Sequence, residues 1–225
     1  MKIAVIGTGK TGGKVVELLG DECSESFDNH NPPTVEKLKQ SDAVIIFVPG
    51  DAVPDIIDDV LEAGIPAAWG STGYDWPVDL DEQVKAKNTK WVLASNFSLG
   101  MNVIRKSIQA ISKASDILKD PEFHIHEVHH VHKKDAPSGT ALSWKEWLDK
   151  EAEVTSAREG DVKGIHELTV KTATEEITLK HKALDRALFA EGAIWAAKQL
   201  VENPDIETGV HAFGELFDQL IMEEN

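Results

Sequence analysis

The chain contains a single cysteine, Cys23, among its 225 residues, so no disulfide can form within it. That excludes the disulfide-stapled secreted scaffolds and makes a reducing cytoplasm the expected setting. Basic residues are also in short supply, 23 Lys and Arg against 39 Asp and Glu, for a formal charge of -16. A field of that sign repels nucleic acid and anionic membranes, and it requires any anionic ligand to find a locally basic pocket. Long hydrophobic runs are missing. Residues 3–6 are too few for a signal-peptide core and residues 43–48 fall far below a membrane span, so the protein is expected to be neither exported nor membrane-embedded. Tandem repeats and low-complexity tracts are not evident either. What is left is an ordinary globular composition, 41% hydrophobic and 28% charged, with length enough for one large or two small domains.

The first thing present is a dinucleotide pattern. Residues 2–6 are apolar and β-branched, residues 14–20 have helical spacing, and between them runs Gly7-Thr8-Gly9-Lys10-Thr11-Gly12-Gly13. Strand, glycine turn and helix in that order suit a dinucleotide: Gly7 permits the tight turn, Gly9 lets backbone approach a pyrophosphate, and Gly12 or Gly13 lets helix and strand pack closely. The pyrophosphate is expected on the helix N-terminus. A second strand over residues 22–27 ends at Asp28, where a carboxylate can hold the adenosine ribose. The competing reading is a turn aspartate before Asn29-His30-Asn31-Pro32-Pro33. Helices over 34–41, 52–63 and 80–87, and strands over 42–48, 65–69 and 91–94, continue the alternation. Gly70-Ser71-Thr72-Gly73 stands at the end of a strand, the edge where open α/β sheets bind ligands, and the strand over 91–94 leads into Ser95-Asn96-Phe97.

The second half is organised around a histidine-rich corner. After a helix over 103–118, residues 123–132 alternate as a strand, Asp135-Ala136-Pro137 breaks the run, and Ser138 caps a helix reaching residue 150. Alternation puts His129 on a face with Val131 and Lys133, and His130 on the other with His132 and Lys134. Beside these proton-transferring faces, the unpaired N–H groups of Ser138, Gly139 and Thr140 form a helix-start anion site. Two rival readings compete: a metal site, because His124, His126, His130 and His132 share a strand face, and a non-catalytic nucleotide-binding regulator. Residues 151–163 read as polar loop, 166–173 and 176–181 as strands, 186–200 as a helix, and 205–225 as a segment with a final helix.

The string His129-His130-Val131-His132-Lys133-Lys134-Asp135-Ala136-Pro137-Ser138-Gly139-Thr140-Ala141 resembles the signature of the 4-hydroxy-tetrahydrodipicolinate reductase family. Residues 70–73, 96–102, 158–164 and 181–193 are similar to that family as well. The resemblance implies an α/β fold: a Rossmann-type parallel-sheet domain over 1–100 plus 186–225, and an α+β substrate-binding and oligomerisation domain over 101–185 with an open mixed sheet. Hinges are expected near 96–102 and 183–186. It also implies reduction of a cyclic dicarboxylate by NADH or NADPH in a cytoplasmic homotetramer, without a nucleic-acid partner. His129 would donate the proton and Lys133 would give a second proton or stabilise charge, with His130, Gly139 and Thr140 on the substrate. Gly7, Thr8, Gly9, Lys10, Thr11, Gly12, Asp28, Gly70, Ser71, Thr72, Ala94, Ser95, Asn96 and Phe97 would hold the cofactor. The family often has a basic residue directly after the acid that ends the second strand; Asn29 stands there, so NADH is expected to be preferred over NADPH.

Overall fold

The computed structural model describes residues 1–222, and among these the chain forms ten β-strands and eight α-helices. They fall into two compact units, Met1–Ser98 with Arg186–Asn225, and Leu99–Asp185. The chain therefore passes from one unit to the other at Ser98–Leu99 and returns at Asp185–Arg186.

The first unit begins with β1 (Ile3–Ile6), α1 (Gly12–Leu19), β2 (Cys23–Phe27), the short α2 (Val35–Leu38) and β3 (Ala43–Ile46). It continues with α3 (Ile57–Ala63), β4 (Ala67–Trp69), α4 (Leu80–Ala86) and β5 (Lys90–Leu93). Its sheet is parallel throughout, in the order β10-β5-β4-β3-β1-β2, where β10 is Gly209–Ala212. Strands β1, β3 and β4 are buried along their whole length, as expected of strands covered by helices on both faces. Order reverses about β1 and β3, the switch point beside which parallel sheets of this kind bind ligands. Ile6, Val44, Ile46, Trp69 and Trp91 lie at the centre of its core.

Three local expectations for this unit change. The helix expected over 34–41 is only Val35–Leu38, capped by the Thr34 hydroxyl, because Lys39 to Ser41 close into hydrogen-bonded turns. The helix expected over 52–63 starts at Ile57, since Pro54 brings no N–H donor and the preceding residues 50–55 wind as a 3₁₀ turn. A sixth strand, β10, lies in the segment read only as a helix-ended tail. It has four residues and pairs with β5 alone, too short for its alternation to stand out. The helices α7 (Ala187–Glu202) and α8 (Phe213–Phe217) complete the unit, followed by a π-type turn over Asp218–Met222. Residues 223–225, the end of the expected final helix, lie outside the described residues.

The second unit holds α5 (Leu99–Ala114), β6 (Glu122–His129), α6 (Gly139–Leu148), β7 (Glu153–Arg158), β8 (Ile165–Lys171) and β9 (Glu176–Lys182). Its sheet runs β7-β6-β8-β9, with β6 and β7 parallel and the other pairs antiparallel, so it is mixed and open. Ile108, Ile125, Trp144, Leu148 and Leu168 are fully buried between the sheet and the helices α5 and α6. Strand β7 falls inside the stretch expected to be loop. It is an edge strand, half-buried or exposed along its length, and its backbone pairing with β6 supplies what its side chains do not advertise.

Candidate active site

The ends of the parallel strands collect one set of candidate residues. Gly7 to Gly12 follow β1, Asp28 follows β2, Gly70 to Thr72 follow β4 and Ala94 to Phe97 follow β5, so all reach the same carboxyl edge of one sheet. Gly7 has a φ of +88°, which a side chain strongly disfavours, and its N–H is tied to the Phe27 carbonyl at 2.9 Å. A Cβ at Gly9 would meet nothing within 4 Å, leaving that backbone open to a ligand. The side chain of Ser71 is buried with its hydroxyl unpartnered. An open glycine face at the start of α1, an orphaned hydroxyl at the end of β4 and an exposed carboxylate at the end of β2 together fit an extended dinucleotide.

Three of these residues carry structural duties. Asp28 Oδ1 accepts from the N–H groups of His30 at 2.8 Å and Asn31 at 3.1 Å, and those bonds, His30 first, hold its carboxyl below the usual range. It therefore organises a turn while remaining exposed. Phe97 is only 1% exposed, its ring set edge-on against Phe47 and Phe213, so what it offers a ligand is backbone. Asn96 caps the loop by accepting from the Ser98 N–H at 2.8 Å. Lys10 and His30 are exposed, whereas Lys37 is committed to Glu25 and Asn31.

The second set lies on β6 and the corner after it. Strand β6 ends at His129, three residues earlier than expected, and the chain turns there, with the Lys133 N–H donating to the His130 carbonyl at 3.1 Å. Alternation therefore holds only up to His129. It sets Ile125, Glu127 and His129 on one face and His124 and His126 on the other, where both rings meet the Thr155 hydroxyl at 2.8 Å. His130 and His132 sit beyond the strand with their rings 6.2 Å apart. The four-histidine metal face is thus broken by the turn. Lys133 Nζ lies 2.8 Å from Asp135 Oδ1, and this contact, ahead of all others, lowers the Asp135 carboxyl.

Ser138 caps α6, its hydroxyl accepting from the Ala141 N–H at 3.2 Å. Its own N–H donates to Glu127 Oε1 at 3.2 Å, so it drops out of the expected anion site. Gly139 and Thr140, exposed and half-buried at the first turn, have no acceptor within the helix. Glu127 is the residue that sequence reasoning passed over. Completely buried, it receives Arg158 Nη2 at 2.9 Å on Oε1 and Nη1 at 3.0 Å on Oε2, with His129 Nδ1 on Oε2 as well. Burial works against its charge, but Arg158, then Ser156 and His129, outweigh it and lower the carboxyl to about 2. His166 packs edge-on to His129 with ring centres 5.0 Å apart, and burial, with His129 next, lowers it to about 4. Glu127, His129 and His166 have ligand atoms within 4.8 Å of one another, a composition that suits a cation. The Arg158 guanidinium already occupies both oxygens of the carboxylate in that cluster, which makes it an ion-pair network instead.

A family model described as dihydrodipicolinate reductase, C-terminus, matches residues 100–213, just over half of the chain. The 4-hydroxy-tetrahydrodipicolinate reductase of Haloarcula marismortui is 30% identical, with 96% of this chain and 99% of that protein covered. The chain belongs to this reductase family. The reductase of Bdellovibrio bacteriovorus is 33% identical over 75% of this chain and 74% of its own. Among solved structures, the dipicolinate-bound dihydrodipicolinate reductase of Paenisporosarcina sp. TG-14 has a TM-score of 0.71 at 19% identity, covering 94% of this chain and 97% of that one. That likeness establishes the reductase fold. A further model, described as a CoA binding domain, matches residues 12–108.

Proposed function

We propose that this protein reduces 4-hydroxy-tetrahydrodipicolinate to 2,3,4,5-tetrahydrodipicolinate, with NADH or NADPH consumed, water lost and one proton taken up, in diaminopimelate and lysine biosynthesis. The observation that carries this reading is membership of the reductase family over nearly the whole chain, together with the intact corner from His129 to Ala141. The bound dinucleotide supplies hydride. The glycine turn and α1 hold its pyrophosphate, Asp28 its ribose, and the loops at Gly70–Thr72 and Ala94–Phe97 the rest. Asp28 followed by Asn29, with no arginine in the turn that it organises, favours NADH; exposed Lys10 and His30 leave room for NADPH.

Addition of hydride leaves an electron-rich enamine that must gain a proton. His129 donates it, Lys133 gives a second proton or stabilises charge, and His130 with the N–H groups of Gly139 and Thr140 receives the carboxylates. These donors form the local basic pocket that the overall acidity of the chain demands. The same reading carries a cytoplasmic homotetramer, whose mass light scattering measures directly. The deciding assay follows loss of reduced-nicotinamide absorbance on adding the freshly made condensation product of pyruvate and aspartate semialdehyde. Oxidation that depends on that product, competitively inhibited by pyridine-2,6-dicarboxylate, is the expected result. Folded protein that leaves the cofactor untouched overturns it.

A further inference from the structure

We propose that Glu127 is a positioning residue of this reduction: pinned by Arg158, its carboxylate holds His129 in the tautomer with the hydrogen on Nδ1, so that Nε2 alone delivers the proton. This rests on the assignment of His129 as proton donor and adds what sets its reacting atom. An ionised carboxylate only accepts hydrogen bonds, and both Glu127 oxygens already receive donors, Arg158 Nη2 and the Ser138 N–H on Oε1 and Arg158 Nη1 on Oε2. The ring nitrogen of His129 that meets Oε2 must therefore donate. In the neutral ring this leaves the lone pair on Nε2; in the charged ring, the transferable proton is the one on Nε2.

The surroundings of Nε2 agree. A Cβ on the buried Gly164 would stand 3.1 Å from that atom, so the missing side chain leaves its neighbourhood clear. His166 flanks the ring without competing for Nε2, because its own Nε2 lies 3.1 Å from the Ser138 hydroxyl. Arg158 is fixed in turn: Nη1 donates to the Ala157 carbonyl at 2.6 Å and Nη2 to the Asp135 carbonyl at 2.5 Å. One guanidinium thereby ties the carboxylate behind His129 to the corner that carries Lys133. In the transfer itself the Nε2–H bond breaks, the proton joins the enamine carbon, and the ring is left neutral with Nδ1–H still donated to Glu127. Solvent restores the proton before the next turnover.

The test combines the ¹⁵N spectrum of histidine-labelled protein with steady-state kinetics. The His129 ring is assigned by its disappearance in His129→Gln, and the wild-type neutral ring is expected to carry hydrogen on Nδ1. Glu127→Gln is expected to lower kcat by between ~10²- and ~10⁴-fold, because the amide can turn its NH₂ toward Nδ1 and force the other tautomer, while the substrate KM moves little. A merely structural glutamate would shift the melting temperature and leave the tautomer alone. Hydrogen on Nε2 of the wild-type neutral ring, or a Glu127→Gln enzyme with wild-type kcat, overturns the proposal. The wild-type spectrum decides alone if Glu127→Gln does not fold. His129→Gln separates the two levels: full activity there removes His129 as donor, whereas an inactive His129→Gln beside a fully active Glu127→Gln removes only the role of Glu127.

Discussion

A Cβ built on Gly12 would stand 1.7 Å from the carbonyl oxygen of Gly7. Helix α1 can begin that close to the end of β1 only because residue 12 has no side chain, and the neighbouring atom is backbone with no freedom to swing aside. Gly9 is the opposite case, with open space where its Cβ would be. Gly12→Ala is therefore expected to destabilise the fold by ~1–3 kcal/mol or more, as overpacking does. Gly9→Ala is expected to melt like the wild type and to bind NADH more weakly, since its methyl occupies the approach to the pyrophosphate. Calorimetry for stability and fluorescence titration for NADH read the two effects separately; equal losses of stability in both variants would contradict the assignment.

Asp28 has two duties, and an asparagine separates them. Its Oδ1 holds the turn through the N–H groups of His30 and Asn31, a role that the amide oxygen of Asp28→Asn preserves. The charge that repels a 2′-phosphate disappears. With NADH the wild type is expected to show the higher kcat/KM, and Asp28→Asn to narrow or reverse the ratio with its melting temperature unchanged. An unchanged ratio makes Asp28 a turn residue only.

The legible parts of this chain were those written in local chemistry. Gly7 to Gly13 between an apolar run and a helical one located the first turn, and the Pro137-Ser138-Gly139 start of α6 located the second. Strand β7 was invisible because an edge strand that is half-buried or exposed along its length needs no hydrophobic alternation; its pairing with β6 is a backbone matter. The end of β6 was misplaced because residues 130–132 continue the alternation that the turn at Lys133 cuts short. Glu127 escaped notice for a related reason. A single glutamate in a charged segment reads as surface, and only the arrival of Arg158 from β7, a strand the sequence hid, shows why a carboxylate is buried there.

Lys133 and Lys134 are neighbours with different surroundings. Lys133 is partly buried and held 2.8 Å from Asp135 at the corner next to His129, while Lys134 is exposed. Lys133→Ala is expected to cut kcat by ~10²–10⁴-fold, the usual cost of losing a proton donor, and Lys134→Ala to leave it within a few-fold of wild type. Comparable losses from both would show that the corner acts through overall charge rather than through a placed ammonium.

Burial of His166, with that of His181 opposite it on β9, ties the stability of the fold to pH. The His166 ring is 4% exposed, and burial, followed by the neighbouring His129, lowers it from 6.5 to about 4. Between those values the unfolded chain binds a proton that the folded chain refuses, so stability is full above 6.5 and drains away as the pH falls toward 4. Integrated over that window the loss is about 3 kcal/mol, because each tenfold difference in proton affinity between the folded and unfolded chain is worth ~1.4 kcal/mol. Glu127 takes over lower down: its carboxyl, lowered from 4.5 to about 2, stabilises the fold above 4.5 and loses that contribution as the pH drops through the interval to 2. Urea unfolding midpoints are accordingly expected to fall steadily from pH 6.5 to pH 4 in the wild type. His166→Gln, which keeps a polar group facing the Ser138 hydroxyl and cannot be protonated, is expected to flatten that slope while sparing the fall below pH 4.5, to which Glu127 contributes with the other lowered carboxyls, Asp28 and Asp135 among them. A His166→Gln curve parallel to the wild type across the upper window would assign the acid sensitivity to other groups.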